Sequence, residues 1–126
     1  MQRRISCSSV SVPPSSVRRD AVRSVALAEL HRAYAATGPG DPKLRRNIGI
    51  WAGHFRDARL ALDAMRAAID EQGAHAPFLW YPQLAEMRRL PEFMAYLREI
   101  GMVDYWKEYG WPDICRPLGK DDFQCD

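Results

Sequence analysis

The sequence predicts an all-α protein built from antiparallel helix hairpins, and three observations support this fold class. Good helix formers such as Ala, Leu, Arg, Met and Glu recur through the middle of the chain, whereas Val, Ile and Thr are sparse after Val25. Apolar residues repeat at the three- and four-residue spacing of a helix that is buried on one side. Pro and Gly divide these stretches into pieces of helical length. We therefore predict no strand.

The first predicted helix covers residues 20–37, with Asp20 as its N-cap and Gly38 just beyond its end. Its expected buried stripe is Val22, Val25, Ala26, Leu30 and Tyr34. Residues 1–19 are rich in Ser, Pro and Arg and carry no acid, a composition that predicts disorder. The same composition also describes an organellar transit peptide, an alternative that Pro13 and Pro14 disfavour because they break its amphipathic helix.

Two helices with cleaner patterns follow, over residues 42–55 and 57–72. The apolar face of the first is Leu44, Ile48, Trp51, Ala52 and Phe55. The apolar face of the second is Leu60, Ala61, Ala64, Met65, Ala68 and Ile69. On its other side, Arg59 and Arg66 stand four residues before Asp63 and Asp70, the spacing of a helical ion pair. The short link predicts that the two helices pack antiparallel as a hairpin.

Aromatic residues are concentrated in the last part of the chain, where ten of the thirteen Phe, Trp and Tyr residues lie from Phe78 onward. Pro82 and Pro91 suit first helical turns and Gly101 suits a helix end, so we predict helices over 82–89, 91–100 and 102–109. Residues 110–126 contain too many helix breakers and are predicted to be coil. The predicted organisation is a disordered segment 1–19, a helical domain 20–118 and an acidic coil tail 119–126.

Charge is distributed unevenly around the net value of +2. Residues 1–66 hold 12 Lys and Arg against 5 Asp and Glu (+7), and residues 67–126 hold 6 against 11 (−5), so the halves should attract each other. A basic half also suggests nucleic-acid binding, and Leu44-Arg45-Arg46-Asn47 begins a helix. Because the arginines are spread over several segments, solvated faces and intramolecular pairs are the favoured interpretation.

The cysteines and the hydropathy predict a cytoplasmic protein. Cys7, Cys115 and Cys125 form no CxxC pair, and their odd number does not fit a disulfide-rich secreted domain. A disulfide between Cys115 and Cys125 would require oxidising conditions. No apolar run approaches the ~20 residues that span a bilayer, and the amino terminus lacks a secretory signal.

Part of the hairpin resembles a known repeat. In NIGIWAGHFRDARLALDAMRAAIDEQG, Ile48-Gly49 stand where the tetratricopeptide motif has its Leu-Gly pair, Ala61 and Ala68 occupy its two small positions, and Met65 its large apolar position. Gly49 and Ala61 would allow the two helices to approach closely. The resemblance implies a right-handed superhelix of helix hairpins, here a short array with a C-terminal helical cap.

The later segment is similar to the closing part of certain bacterial tetratricopeptide proteins of the signalling-associated type. The similarity lies in Leu79-Trp80, Pro82, Leu84, Pro91-Glu92-Phe93, Leu97-Arg98, Gly101, Tyr105-Trp106 and Gly110-Trp111-Pro112-Asp113. The resemblance implies a truncated or unusually short C-terminal part of a regulatory or signalling protein, with its last repeat and cap but without the upstream effector domain. Such an array would leave an apolar face uncovered near its amino end, which favours self-association.

No catalytic, cofactor or metal site is predicted. His31, His54 and His75 have no second ligand at helical spacing, and Cys115 has only a distant histidine as its base. The acidic cluster of Asp121, Asp122 and Asp126 lacks the spacing of a calcium loop and is interpreted as solvated.

The predicted function is that of a protein-interaction scaffold of the tetratricopeptide type. Its expected partner is a protein or peptide segment, with no small-molecule substrate and no membrane. A nucleic-acid-binding regulator is the alternative. Two interpretations of the aromatic residues stay open, because they either pack the cap or anchor a partner. The candidate partner-binding residues are Arg46, Asn47, Arg59, Trp80, Tyr105, Trp106 and Trp111.

Overall fold

The computed structural model describes residues 14–72 and 76–126, and these form a largely helical fold with one small sheet. The helices are α1 (Ser15–Ala36), α2 (Pro42–His54), α3 (Ala58–Gln72), α4 (Ala85–Arg88), α5 (Pro91–Glu99) and α6 (Met102–Tyr109). Two 3₁₀ helices, Ala76–Trp80 and Pro82–Leu84, connect α3 to α4, and the strands β1 (Cys115–Leu118) and β2 (Asp122–Cys125) follow α6. The all-α prediction therefore holds for the described chain up to Tyr109.

The hairpin of α2 and α3 forms as predicted. Asp41 caps α2 by accepting from the Leu44 amide at 3.1 Å, and Asp57 caps α3 by accepting from the Leu60 amide at 3.0 Å. All six predicted apolar residues of α3 are buried. On α2 the prediction is wrong at Leu44 and Trp51, which are exposed. The buried face is instead Ile48, Gly49 and Ala52.

The predicted close approach of the two helices is confirmed at Gly49. A Cβ atom placed there would lie 2.7 Å from Met65 Cγ and 3.2 Å from the Ala61 carbonyl oxygen. A larger residue at position 49 would therefore push α3 away from α2.

Gly53 occupies an even tighter contact, where α2 meets the second 3₁₀ helix. A Cβ atom at Gly53 would lie 2.5 Å from Leu84 Cδ2 and 2.7 Å from the Gln83 carbonyl oxygen. Because the second neighbour is backbone, Gly53→Ala should lower the free energy of unfolding by about 1–3 kcal/mol, although alanine is the better helix former by about 1 kcal/mol. Urea unfolding measures the change. Gly38→Ala is the control, since no atom lies within 4 Å of its added Cβ, and equal effects of the two substitutions would contradict the contact.

α1 differs from its prediction in two respects. It begins at Ser15 rather than at Asp20, so residues 15–19 are helical and Asp20 is not its N-cap. Pro14 precedes the helix as its N-cap residue, and residues 1–13 of the segment predicted to be disordered lie outside the described residues. Val22 and Val25, expected in the buried stripe, are 63% and 67% exposed. Only the carboxyl half of α1 packs on the core, through Leu30, Ala33 and Tyr34.

The prediction of a coil after residue 110 is wrong, because β1 and β2 form an antiparallel hairpin. Cys115 pairs with Cys125 in this register, and a disulfide joins them. Phe123, on β2, is 2% exposed and enters the same core as the helices. Residues 119–126 are therefore part of the fold and not a separate acidic coil.

The β1–β2 hairpin is anchored by Arg88, a buried charged residue at the end of α4. The Nη1 atom of Arg88 donates to the carbonyl oxygens of Leu79 and Tyr81, both at 2.9 Å, and its Nε atom donates to the Asp126 backbone oxygen. Burial, and then the charge of Arg89, lower the pKa of the Arg88 guanidinium. Arg88 thus connects the 3₁₀ helices to Asp126, the residue that follows β2.

The expected attraction between the basic and acidic halves is confirmed by ion pairs. Arg45, Arg56, Arg59 and Arg66 of the first half face carboxylates of the second half. The pairs are Arg45–Glu71 at 2.8 Å, Arg56–Glu86 at 3.9 Å, Arg59–Glu92 at 3.4 Å and Arg66–Glu99 at 2.7 Å. The predicted pairs within α3, Arg59–Asp63 and Arg66–Asp70, also form, at 3.5 and 3.7 Å.

Tyr96 makes folding sensitive to alkaline pH. Its buried hydroxyl donates to Asp70 Oδ1 at 3.0 Å, and burial together with this hydrogen bond raises the pKa of Tyr96 well above its usual range. Above about pH 10 the unfolded chain loses this proton while the folded chain keeps it. The stability that Tyr96 contributes is therefore complete below that pH and is lost as the pH rises towards the folded-state pKa, by up to about 1.4 kcal/mol per pH unit.

Urea unfolding near neutral pH and at several values above about pH 10 measures this slope. We expect Tyr96→Phe to cost about 1 kcal/mol near neutral pH and to flatten the alkaline decline. Tyr105→Phe, at an exposed position, should retain the wild-type slope. An unchanged slope in Tyr96→Phe would assign the alkaline effect to another group.

In the ranges 14–72 and 76–126, each helix is too short or too polar to cross a membrane.

Candidate functional site

The outer face of α1 carries several apolar side chains that the fold leaves exposed. No residue of α1 is buried, and Val17, Val22 and Val25 are each more than half exposed. Val22 and Val25 line a shallow depression along the helix together with Ala21 and Ala26. Uncovered apolar faces of this kind commonly mark contact surfaces.

A groove lies between the first turns of α1 and the end of α2, and we refer to it as the α1–α2 groove. Its volume is about 530 Å³. Its apolar lining residues are Val22 and Phe55, which we call its floor, and the Phe55 ring stacks on exposed Trp51, with 6.1 Å between ring centroids. The lining residues are Ser15, Arg18, Arg19, Val22, Arg23, His54, Phe55 and Arg56. Its four arginines, which we call its rim, thus accompany the apolar floor, and no carboxylate of the described residues lines the groove.

The arginines of the groove differ in how they are held. Arg23 joins the two helices, because its Nε donates to the Phe55 carbonyl oxygen at 2.7 Å. Arg56 is 76% exposed and has only a 3.9 Å ion pair with Glu86. Arg18 and Arg19 make no ion pair with any described residue. The rim therefore carries cations whose charge the fold does not neutralise.

Arg56 also has an unusual backbone conformation. Its φ of 65° lies in the left-handed region, which glycine adopts without strain. Among the described residues other than glycine, Arg56 alone has a positive φ. A left-handed conformation costs a residue with a Cβ roughly 1–2 kcal/mol. Arg56 follows the C-cap residue Phe55 of α2, the position at which a left-handed residue commonly ends a helix, and its side chain lines the α1–α2 groove.

The predicted aromatic residues separate into a packed group and an exposed one. The Trp106 ring lies 6.0 Å from Trp80 and 5.4 Å from Trp111, and both Trp106 and Trp111 contact Phe123. These three tryptophans thus pack the end of the fold, the first of the two interpretations. Tyr105 is 58% exposed and lies against Tyr109, with 4.8 Å between centroids.

The predicted polar residues make separate contacts. The Arg46 guanidinium lies over the Phe78 ring, 4.5 Å from its centroid, and Arg59 pairs with Asp63 and Glu92. Asn47 is exposed. Arg45 pairs with Glu71. Both Arg45 and Arg46 therefore make contacts within the fold, and neither extends into solvent to bind a phosphate. The structure brings none of these residues into the α1–α2 groove.

The histidines and cysteines have structural surroundings. His31 Nε2 lies 2.8 Å from Asp57 Oδ2, which links α1 to the start of α3. The His54 ring packs edge-on against Trp51 and Phe55. His75 and Cys7 lie outside the described residues. Within those residues, no three His, Cys, Asp or Glu side chains come together as metal ligands would.

The groove residues were missed by the sequence analysis because Val22 was assigned to a buried stripe. The available signal was the sequence Arg18-Arg19-Asp20-Ala21-Val22-Arg23, in which one acid accompanies three arginines. This charge excess on an amphipathic helix is compatible with an exposed, cationic contact face. The contribution of Phe55 and Arg56 depends on the packing of α1 against α2 and has no local signal.

Comparison with known proteins adds no family assignment. The chain matches no family model, no curated protein and no solved structure. The resemblance to tetratricopeptide proteins therefore rests on the residues of this chain alone.

Proposed function

We propose that this protein is a helical interaction module that binds a segment of another protein in the α1–α2 groove. The observation that carries the proposal is the combination of an apolar floor, at Val22 and Phe55, with arginines at the rim and no lining carboxylate among the residues that the structure describes. A segment with one large apolar side chain flanked by carboxylates would fill this groove and neutralise its rim.

The chemistry of the groove favours a protein over a nucleic acid. A nucleic acid is bound mainly through phosphates along an extended basic surface, whereas the floor here is apolar and the Arg45-Arg46 pair is engaged within the fold. Uncovered apolar surface beside charge is the usual composition of a peptide-binding groove.

The proposal includes the tetratricopeptide type of scaffold. Its support is the α2–α3 hairpin, in which Gly49 meets Met65 and the Ala61 backbone closely, together with α1 lying against α2. In this proposal α1 takes the place of the second helix of a preceding repeat, and its uncovered face is the surface on which such arrays bind or stack.

A peptide library selected on the wild-type protein tests the groove. We expect the enriched peptides to carry acids beside a large apolar residue, and to bind Val22→Asp at least about tenfold more weakly, because the new carboxylate replaces the apolar floor and repels their acids. Val17→Asp is the matched control on the same helix, since Val17 is similarly exposed but does not line the groove. Fluorescence anisotropy of labelled peptides measures the affinities.

Two results would overturn the proposal. One is a set of selected peptides that bind both variants as well as they bind the wild type. The other is tight binding of duplex DNA that weakens steeply with salt and disappears in Arg19→Glu, which would favour the nucleic-acid alternative.

Arg56→Gly separates binding from folding. Glycine relieves the left-handed strain, so the free energy of unfolding should stay the same or rise by up to about 1 kcal/mol. Loss of the rim charge should nevertheless weaken peptide binding. Urea unfolding and anisotropy on the same sample measure both quantities. A variant that is less stable than the wild type, or binds as tightly, would contradict the role of Arg56.

A cytoplasmic location remains part of this proposal, although the Cys115–Cys125 disulfide is of a kind that cytosolic reductants remove. Alkylation of thiols at the moment of cell lysis, followed by mass spectrometry, tests the location. Alkylated Cys115 and Cys125 would agree with a reducing compartment, and an intact disulfide would contradict it.

A further inference from the structure

We infer that the α1–α2 groove receives helix α6 of a second copy of this chain, so that the protein assembles head to tail. The inference rests on the proposed function, because it names the segment that the groove would bind. It starts from a second exposed surface, here called the α6 strip and defined as Asp104, Tyr105, Glu108 and Tyr109.

The α6 strip carries exposed tyrosines and acids, and the α1–α2 groove has neither among its described lining residues. Tyr105 and Tyr109 are 58% and 69% exposed, and their rings lie together one helical turn apart. Asp104 and Glu108 are also exposed and one turn apart, and neither makes an ion pair with any described residue. The strip therefore consists of a pair of tyrosines beside a pair of unpaired acids.

The spacing of the two surfaces agrees. Residues four apart on a helix are separated by about 6 Å along its axis, and the groove arginines Arg19 and Arg23 on α1 have the same separation in sequence as Asp104 and Glu108 on α6. With the helices side by side, a tyrosine ring would contact Val22 and Phe55 while the carboxylates face Arg19 and Arg23. Tyrosine and arginine are also the residues most enriched at the centres of interfaces.

Residues 1–13 of the same chain are the competing occupant, because they lead directly into α1. They contain Arg3 and Arg4 and no acid, so their charge repels the rim of the groove. The α6 strip carries the opposite charge. Because the groove and the strip are different surfaces of one chain, their contact is heterologous and produces rings or open chains of subunits.

Analytical ultracentrifugation of the full chain tests the assembly. We expect the wild type to sediment faster as its concentration rises and as salt is lowered, and we expect assembly to weaken by at least about tenfold in a groove variant, Val22→Asp, and in a strip variant, Tyr105→Ser with Tyr109→Ser. All three positions are exposed, so the variants should fold, as circular dichroism would verify. Val17→Asp should assemble like the wild type.

Mixing the two variants gives the most specific result. The groove variant keeps its strip and the strip variant keeps its groove, so the mixture should form a one-to-one dimer and nothing larger. A mixture that stays monomeric while the wild type assembles would overturn the head-to-tail contact. A wild type that is monomeric at every concentration would overturn self-assembly itself, and peptides that still bind in a Val22-dependent manner would then leave the proposed function intact.

A photo-crosslinking amino acid in place of Val22 identifies the occupant. Isotopically light and heavy chains are mixed so that a crosslink between copies is recognised by mass spectrometry. A light–heavy crosslink to α6 is expected. A crosslink to residues 1–13 of the same chain would overturn the inference.

Discussion

Phe123→Ala should lower the free energy of unfolding by about 3–5 kcal/mol, the range for removing a buried aromatic ring. Phe123 is 2% exposed and contacts the rings of Trp106 and Trp111, at 6.3 and 5.6 Å between centroids. The Arg98 guanidinium covers its other side, 4.9 Å from the ring centroid. Removal of this ring leaves a cavity between α6 and the hairpin and separates both tryptophans from their common neighbour.

Leu118→Ala is the control for this substitution, because Leu118 lies on β1 of the same hairpin and is 45% exposed. It should change stability by no more than about 0.5 kcal/mol. Urea unfolding followed by circular dichroism gives both values without relying on the tryptophans. If Phe123→Ala costs less than about 1 kcal/mol, the hairpin does not contribute its side chain to the core, and the disulfide alone would account for its structure.

The helices were predictable wherever a complete apolar face meets the core. In α3, the residues from Leu60 to Ile69 follow the helical period, and all six predicted positions are buried. The proline and glycine signals located α5 and α6 to within one residue, because Pro91 begins α5 and Gly101, with φ of 80°, precedes α6. Local chemistry determines these boundaries, so one sequence is sufficient to find them.

The first helix shows the limit of periodicity. The pattern of Val22, Val25, Leu30 and Tyr34 identifies an amphipathic helix, but it carries no information on how far the neighbouring helix extends. The carboxyl half of α1 packs on the core, so Leu30 and Tyr34 are partly covered while Val22 and Val25 are exposed. The α1–α2 groove arises from this incomplete coverage and was not predictable.

The β1–β2 hairpin was not predicted from the sequence, because tertiary contacts and not a local pattern hold its strands together. Each strand has four residues, and Pro117 lies within β1, where a sequence pattern argues against a strand. The alternation of buried Phe123 and Cys125 with exposed Gln124 is too short to recognise alone. The bond between Cys115 and Cys125 and the contacts of Phe123 define the register instead.

Arg88→Met should be as severe as the loss of Phe123, at about 3–5 kcal/mol, because three backbone oxygens lose their hydrogen-bond donor. Arg88 is 4% exposed, and its guanidinium donates to backbone oxygens of Leu79, Tyr81 and Asp126. A buried carbonyl left without a donor costs about 1–3 kcal/mol, which applies to Leu79, and the partly buried oxygens of Tyr81 and Asp126 add to this loss. The methionine gains apolar burial, but it supplies no hydrogen for these oxygens.

A second substitution distinguishes hydrogen bonding from charge. Arg88→Lys keeps the positive charge but has a compact ammonium in place of the planar fork, so it should recover only part of the lost stability. Arg89→Met removes the adjacent charge at an exposed position and should change stability by no more than about 0.5 kcal/mol. Full recovery with lysine would mean that charge, not the geometry of the guanidinium, holds the three carbonyl groups. Partial recovery would show that the hydrogen bonds of the Arg88 guanidinium join the 3₁₀ helices to the β1–β2 hairpin.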